Sequence, residues 1–342
     1  MSKDKTSKLC IVGTIPPPVG GVTIHVKRLL DGLKKSDYSN SFIDLRQKNS
    51  LFMFGYLKHV FGIREFLVHY QLNKRSEFLF LVCVLRNRKF LYTVHSIRYE
   101  ELGIIDKISC DICKRIDCVT YIAPTVTTKK RMLELGFPDK SIIVHDTYFP
   151  PIQEELDETI PQEIENFILR ARKNKSRIVL AGAYKLYLDD CGRDVYGLDM
   201  CIEACRRIPE LSLIFCTPQY DKKYLDVCCE KITNDGLGDR IHIFTKMVNL
   251  ASLYSKVDLF VRPTTTDSYG ISAHEAIDSG IPVIASDVCE RASGVVVFST
   301  GNIDDFCMKI NGTKSINNVG QESTNSIDFY VRLYNSQASE RK

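Results

Sequence analysis

Short apolar segments alternate with longer amphipathic segments along most of the chain. The short segments are rich in Val, Ile, Leu and Phe and show no polar alternation, a pattern typical of strands buried on both faces. The longer segments place apolar residues at helical spacing. Because strands that alternate with helices form parallel sheets, the pattern predicts an α/β fold.

The same alternation runs through both halves and is interrupted at Phe149-Pro150-Pro151, since proline breaks helices and central strands. In the first half the predicted strands cover residues 8–13, 41–45, 65–70, 90–95, 118–123 and 142–145, and the predicted helices cover 22–35, 51–63, 74–85, 104–115 and 126–135. In the second half the predicted strands cover 177–181, 211–216, 240–244, 258–261, 282–285 and 294–298, and the predicted helices cover 198–207, 222–234, 250–256, 271–279 and 327–334.

This division predicts two domains, which a chain of 342 residues is long enough to form. The first domain covers residues 1–150, and residues 151–175 are assigned to a linker. The second domain covers residues 176–325. Ligands of open parallel sheets bind beyond the carboxyl ends of the strands, so we expect the functional residues there.

Charge is distributed unevenly between the two halves. Residues 1–150 carry 24 Lys and Arg against 14 Asp and Glu, whereas residues 151–342 carry 22 against 28. A basic first half indicates an anionic partner. No zinc finger, aromatic-studded RNA motif or basic repeat supports nucleic acid, so we expect none. The aromatic-rich segment 51–64 is compatible with an interfacial helix on an anionic membrane and equally with a helix packed on the first sheet.

The chain has thirteen cysteines, but they do not form the two close ligand pairs that a structural zinc site usually has. Cys110-Asp-Ile-Cys113, followed by Cys118, is one such pair without a second pair nearby. The cysteines are interpreted as reduced thiols. The longest strongly apolar run, residues 78–85, is too short to span a bilayer, and the polar first residues do not resemble a signal peptide. These features predict a cytoplasmic protein with no metal.

Two carboxylates flank the predicted start of a helix in Pro263-Thr-Thr-Thr-Asp267-Ser-Tyr-Gly270-Ile-Ser-Ala-His-Glu275. The N–H groups at a helix start, here Ser268, Tyr269, Gly270 and Ile271, have no partner within the helix and bind phosphate well. Carboxylates on either side of a diphosphate can accept hydrogen bonds from hydroxyl groups. Asp267 is therefore predicted to hold a sugar, and Glu275 a ribose.

This segment, continued by Gly280-Ile-Pro282-Val, resembles the Glu-x7-Glu signature of retaining GT-B glycosyltransferases of the family-4 type, with Asp267 in the first position. The resemblance covers most of the chain. It implies two Rossmann-like domains that face each other across an interdomain cleft. It also implies a C-terminal helix, about 326–336, that crosses back to the first domain.

Further site residues follow from the resemblance. Gly20 and Gly21, between a strand and a helix, match the family's glycine-rich turn, and Thr23 is a candidate acceptor contact. His95, at the end of a buried strand, matches a histidine placed against the transferred sugar. Lys246 and Met247 match the loop that reads the nucleobase.

The chain departs from the family pattern where the family carries cations for the diphosphate. Ala183 stands in place of an arginine, and Tyr196 in place of a lysine. Because a departing diphosphate needs a cation, Arg193 and then Lys185 of the same loop are predicted to bind the donor. No Asp-x-Asp motif indicates a divalent ion.

The resemblance implies a metal-independent glycosyltransferase of bacterial surface-polysaccharide (O-antigen or capsule-type) synthesis. The donor would be a nucleotide diphosphate sugar, with UDP-sugar favoured, and the acceptor a saccharide, favoured as polyprenyl-linked. The enzyme would be cytoplasmic or peripheral at the inner face of the plasma membrane. Two alternatives remain: a nucleotide-sugar epimerase or hydrolase on this scaffold, and a non-catalytic partner of polysaccharide assembly.

Overall fold

The chain divides into two compact units: a first unit of Met1–Phe149 with Thr324–Lys342, and a second unit of Pro150–Ser323. Each unit is described by itself. The computed structural model describes residues 9–17, 19–44, 62–63, 65–71, 75–85, 87–95, 99, 102–267, 270–313 and 326–339.

The first unit is built on one six-stranded sheet with helices on both faces. Its strands are β1 (Leu9–Gly13), β2 (Asn40–Asp44), β3 (Leu67–Tyr70), β4 (Lys89–Thr93), β5 (Val119–Ala123) and β6 (Ile142–Val144). Its helices are α1 (Gly21–Lys35), α2 (Arg75–Val84), α3 (Ile104–Cys113), α4 (Val126–Glu134) and the C-terminal α12 (Ser326–Ser339).

The sheet order of the first unit is β2-β1-β3-β4-β5-β6, with every pairing parallel. The strand order reverses between β1 and β3, so the carboxyl ends of these two parallel strands form the switch point where such sheets bind ligands. Helices α2, α3 and α4 cover one face through Phe78, Cys110 and Met132. Helices α1 and α12 cover the other face through Leu29 and Tyr330.

The second unit repeats the plan with a second six-stranded sheet. Its strands are β7 (Arg177–Gly182), β9 (Leu211–Cys216), β11 (Ile241–Phe244), β12 (Leu259–Arg262), β13 (Val283–Ser286) and β14 (Val296–Phe298), and the short strands β8 (Lys185–Leu186) and β10 (Gln219–Tyr220) pair separately. Its helices are α5 (Gln153–Leu156), α6 (Gln162–Lys173), α7 (Leu198–Arg207), α8 (Lys222–Asn234), α9 (Ala251–Tyr254), α10 (Ile271–Asp278) and α11 (Ile303–Gly312).

The strand order of the second sheet, β11-β9-β7-β12-β13-β14, is that of the dinucleotide-binding fold. Strands β7 and β9 are buried along almost their whole length because helices cover both faces. The order reverses between β7 and β12, which pair at Leu180 and Phe260. The carboxyl edge of this sheet at Gly182 and Arg262 is therefore the second switch point.

Comparison with the sequence pattern confirms the α/β class and the parallel sheets. Residues 151–175, assigned to a linker, instead carry α5 and α6 and belong to the second unit, where Ile164 and Phe167 enter the core. Helix α11 was not predicted. The predicted helix 51–63 lies almost entirely outside the described residues. Within the described part of the chain, no helix combines the length and apolar character needed to cross a bilayer.

A steric constraint joins the start of α7 to the end of β12. Gly197 has a left-handed φ of +71°, and a Cβ there would lie 2.3 Å from the carbonyl oxygen of Pro263. No L-residue other than glycine fits without a shift of the backbone. The loop before α7 is thereby held against the carboxyl edge of the second sheet.

Gly197→Ala should lower the free energy of unfolding of the second unit by about 3 kcal/mol or more, since both the conformation and the contact are unfavourable. Gly236→Ala is the matched control, because Gly236 has a φ of +66° but open space around it. Gly236→Ala should lower the free energy of unfolding by only about 1 kcal/mol. Urea unfolding of both variants measures the difference, and equal losses would contradict the proposed contact.

Candidate functional site

The carboxyl edge of the second sheet holds a buried cluster of opposite charges. Asp267 lies five residues beyond the end of β12 and accepts hydrogen bonds from Arg262 Nε at 2.5 Å and Nη2 at 3.2 Å. Arg291, in the loop after β13, donates from Nη1 to the same carboxylate at 2.7 Å. The side chains of Asp267 and Arg291 are 8% and 3% exposed, and that of Arg262 is 15% exposed. Buried charges of this kind must be paired.

The arginines are themselves fixed by neighbouring groups. Arg262 Nη1 donates to the Ser272 hydroxyl at 3.0 Å, at the start of α10. Arg291 Nε donates to the Ser286 carbonyl at 2.9 Å. Strand β12, helix α10 and the end of β13 are thus linked through one ionic cluster, and each guanidinium has a defined orientation.

The protonation state of Asp267 follows from this environment. Burial alone would raise the pKa of Asp267, but the positive charges of Arg262 and Arg291 and their hydrogen bonds outweigh burial and hold the pKa below its ordinary value. The carboxylate is therefore ionised throughout the physiological range. The same interaction raises the pKa of Arg262 against the effect of burial.

The turn before α10 needs glycine. Gly270 has a φ of +71°, and a Cβ at this position would lie 2.6 Å from Arg291 Nη1. Ile271 is the first residue of the helix. Ser268 and Tyr269, predicted to line a phosphate, lie outside the described residues. Glu275 is buried one turn further on, with its Oε2 3.2 Å from the Tyr254 hydroxyl.

The remaining predicted donor residues of the second unit lie on the surface. Arg193 is 66% exposed and forms an ion pair with Asp189 of its own loop. Lys246 is 74% exposed and pairs with Glu163 of α6 at 2.9 Å. Lys185 is exposed on β8, and Met247 is half exposed after β11. The structure does not bring these cations to the Asp267 cluster through any contact of the described residues.

The first unit carries a separate network of neutral polar groups at its own switch point. His95 lies just after β4, and its Nε2 atom is 2.9 Å from Gln71 Oε1. Gln71 Nε2 is in turn 2.9 Å from His69 Nε2. His69 also contacts the hydroxyls of Thr93 and Tyr334 at 2.8 and 2.7 Å. Tyr334 belongs to α12, so this helix completes the network within the unit.

The glycine turn of the first unit is organised by Thr23. The Gly20 N–H donates to the Thr23 hydroxyl at 3.0 Å, and that hydroxyl lies 3.0 Å from the Gly20 carbonyl. Gly21 is the first residue of α1. A Cβ on Gly20 would meet no described atom closer than 4.0 Å, so packing does not require glycine there. Thr23, a candidate acceptor contact, thus also has a local capping role.

Burial keeps the histidines of this network neutral. Burial lowers the pKa of His25 to about 4, and burial followed by repulsion from neighbouring histidines holds the pKa values of His69 and His95 well below the ordinary value. His25 Nδ1 lies 2.7 Å from the Thr147 carbonyl, so Nδ1 carries the proton. A neutral His95 can donate or accept a single hydrogen bond to a hydroxyl group.

Sequence reasoning missed Arg262, Arg291 and Tyr254. Arg262 could have been recognised from the sequence, because it is a polar residue at the end of an apolar strand, as His95 is. Arg291 stands in a polar loop without a local signal. It approaches Asp267 only because β12 and β13 are neighbours in the sheet.

Comparison with known proteins agrees with this geometry. Residues 191–311 match the family model of glycosyl transferases group 1. The matched residues lie within the second unit. They include Asp267, Glu275 and both arginines of the cluster.

Two curated proteins are similar over part of the chain. Lipopolysaccharide glucosyltransferase WaaG of Escherichia coli (strain K12) is 29% identical over 118 residues, which cover 33% of this chain and 30% of WaaG. Lipopolysaccharide core biosynthesis mannosyltransferase LpsB of Rhizobium meliloti (strain 1021) is 37% identical over 59 residues, 17% of each chain. The matches thus span less than a third of the length of either relative.

The whole fold matches solved structures. Anabaena HepE in complex with UDP and glucose aligns with a TM-score of 0.65 at 16% identity, covering 98% of this chain and 95% of HepE. This similarity confirms the predicted GT-B fold. The match to the group 1 model confirms the resemblance to glycosyltransferases, whereas the retaining, family-4 type stays a prediction.

The buried histidines predict a pH dependence of stability. Unfolded histidine has a pKa of about 6.5. Between pH 6.5 and about 4 the unfolded chain therefore binds more protons than the folded chain at His25. The stability from neutral His25 is complete above pH 6.5 and is lost as the pH falls through this window, by about 2 kcal/mol between pH 7 and pH 5.

His25→Asn removes the titrating ring and keeps a donor for the Thr147 carbonyl. Urea unfolding at pH 7 and pH 5 should show a smaller loss of stability in this variant than in the wild type, by about 2 kcal/mol. His69 and His95 titrate in both proteins, and loss of the repulsion from His25 raises their folded-state pKa values in the variant, which reduces its loss of stability further. An equal loss in the two proteins would show that His25 is not the group responsible.

Proposed function

We propose that the protein is a retaining, metal-independent glycosyltransferase that moves a sugar from a nucleotide diphosphate sugar to a saccharide acceptor. The observation that carries this proposal is the ionic cluster of Asp267 at the switch point of the second sheet, within the residues that match the glycosyl transferases group 1 model. Sheets of this order bind nucleotides at that point. Helix N-termini and arginines together bind diphosphates.

UDP-sugar is the proposed donor class. HepE, which shares the fold, was crystallised with UDP and glucose. In our proposal the start of α10, at Gly270 and Ile271, receives the diphosphate, and Glu275 accepts a hydrogen bond from the ribose. The exposed Met247, with the backbone of Lys246, lies against the base.

The transfer itself requires balanced bond changes at the anomeric carbon. The bond from this carbon to the phosphate oxygen breaks, and its electron pair stays on the phosphate oxygen. The acceptor hydroxyl oxygen forms the new bond on the same face, and its proton passes to the departing phosphate. Asp267, ionised and fixed by two arginines, orients the sugar through its hydroxyls. Within the first unit, neutral His95 is proposed to bind a saccharide hydroxyl.

The acceptor is proposed to be a lipid-borne saccharide of bacterial surface-polysaccharide synthesis. WaaG and LpsB are named for lipopolysaccharide synthesis, which supports this class. A cytoplasmic enzyme at the inner face of the membrane would meet both a soluble donor and such an acceptor. The predicted contact segment 51–64 falls almost wholly outside the described residues, but α3 offers a second surface.

The exposed face of α3 carries four isoleucines beside Asp111. Ile104, Ile105, Ile108 and Ile112 are between 44% and 78% exposed, and the exposed Arg115 follows the end of the helix. Residues 1–150 carry ten more cationic than acidic side chains (24 against 14), which complements anionic lipid. We propose that this isoleucine face docks on an anionic bilayer.

Two conservative substitutions test the reaction. Asp267→Asn and Glu275→Gln should each lower the transfer rate by about 100-fold or more, because each removes a carboxylate from the proposed donor site and nearly keeps the side-chain volume. Urea unfolding of Asp267→Asn separates this effect from the stability lost when two buried arginines lose their partner. Asp258→Asn is the matched control, since Asp258 pairs with Arg172 at the opposite end of β12. That control should retain wild-type activity.

The assay measures UDP released from UDP-sugars with and without truncated lipopolysaccharide acceptors. UDP release that depends on the acceptor supports a transferase. The anomeric configuration of the new glycosidic bond, assigned by NMR, shows whether the configuration of the donor is retained. Equal UDP release without acceptor would favour the hydrolase alternative, and conversion of the UDP-sugar into its epimer without UDP release would favour the epimerase alternative. Donor binding without turnover on any acceptor would favour the non-catalytic partner, and full activity of both variants would contradict the proposed site.

The isoleucine face predicts binding to lipid. Ile104→Ser combined with Ile108→Ser should reduce co-flotation with phosphatidylglycerol-rich vesicles by about tenfold, since two apolar side chains are removed from the interface. Val227→Ser, at an equally exposed valine of α8, is the control. Undiminished flotation of the double variant would contradict this docking surface. Equal flotation of the wild-type protein with purely zwitterionic vesicles would also contradict it.

A further inference from the structure

The positive charges of the second unit differ sharply in their surroundings. A pyrophosphate is bound most strongly by cations that are shielded from water and held in position. Arg193 and Lys246 are 66% and 74% exposed and are already paired with acidic neighbours. Arg262 and Arg291 are buried at the switch point of the sheet. Exposed pairs contribute little, so the buried arginines are the stronger candidates.

The buried cluster carries an excess of positive charge. Two guanidinium groups, those of Arg262 and Arg291, meet one carboxylate, that of Asp267. Among the described residues, Asp267 is the only acid that pairs with either arginine. A net buried positive charge is unfavourable unless an anion joins it. The cluster should therefore attract an anion, because its carboxylate neutralises only one of the two guanidinium charges.

Arg262 also retains hydrogen-bonding capacity. A guanidinium has five N–H groups. Arg262 uses three of them, two on Asp267 and one on Ser272, and the described residues provide no partner for the other two. Its guanidinium lies 5.9 Å from the centre of the Tyr196 ring, which belongs to the loop before α7. The charge is thus placed between the start of α10 and that loop.

We propose that Arg262, supported by Arg291, supplies the charge that binds the donor's pyrophosphate. Asp267 then has a second role as a positioning residue, since its carboxylate holds both guanidinium groups in orientation before the donor arrives. The start of α10 adds N–H donors at Gly270 and Ile271. The predicted role of Arg193 and Lys185 is thereby transferred to residues that the sheet brings together. This inference rests on the proposed function.

Binding of UDP and of uridine, compared by calorimetry, separates the pyrophosphate from the nucleoside. Arg262→Gln should weaken UDP binding by about tenfold or more and leave uridine binding unchanged, because UDP carries the negative pyrophosphate and uridine does not. Added salt should weaken UDP binding less in this variant than in the wild type. Arg240→Gln is the control: Arg240 binds backbone carbonyls near the amino end of β11 and should leave both affinities unchanged.

A second substitution tests position. Tyr196→Lys in the Arg262→Gln background places a new cation beside the lost one and should recover about threefold or more of the UDP affinity. If Arg262→Gln fails to fold, Arg262→Lys is used, which keeps the charge but not the planar fork and should show an intermediate loss.

The outcomes distinguish this inference from the function on which it rests. A wild-type protein that binds neither UDP nor GDP nor ADP would overturn the proposed function. A wild-type protein that binds UDP, with a folded Arg262→Gln that binds it equally well, would overturn the role of Arg262 alone. An equal loss of UDP and uridine affinity would also overturn it, since the defect would then be structural.

Discussion

A buried carboxylate between two buried guanidinium groups organises the candidate site. Asp267, Arg262 and Arg291 come from the loop after β12, the end of β12 and the loop after β13. Removing one partner of such a cluster leaves an uncompensated charge, at a cost of about 3–5 kcal/mol. The interaction therefore holds the turn before α10 in one conformation. It also keeps Asp267 ionised, so in the proposed reaction this acid would act by hydrogen bonding and charge and not by proton transfer.

Both units place polar groups where the strand order of a parallel sheet reverses. In the second unit these are the charged residues of the Asp267 cluster at the edge of β7 and β12. In the first unit they are neutral groups, Gln71 and His95, at the ends of β3 and β4. The chemistry differs accordingly: one edge suits a dianion, and the other suits hydroxyl groups. A charged donor and a sugar are the ligands that these two edges match.

The strands could be predicted because parallel strands covered on both faces leave an uninterrupted apolar run, as in β9. Helix α6 could not be recognised, since its acidic first turn resembles a linker and its apolar face depends on the sheet it covers. Only part of the candidate site could be predicted from the sequence. Asp267 and Glu275 stand in one local motif, whereas Arg291 joins them only through the pairing of β12 with β13.

The predicted cations illustrate the limit of local reasoning. Arg193 was chosen because its loop follows the first strand of the second sheet, yet Asp189 of the same loop neutralises it at the surface. A charge is useful for binding when burial and neighbouring groups fix it, and sequence proximity reveals neither. Arg262 satisfies both conditions through Asp267, Ser272 and the ring of Tyr196.

A crystal structure of the protein with UDP bound tests the central claim most directly. We expect the pyrophosphate oxygens within hydrogen-bonding distance of Arg262 and of the N–H groups at the start of α10, with Asp267 still in contact with Arg291. A pyrophosphate bound elsewhere on the protein, with the ionic cluster unchanged and without contact to it, would contradict the account.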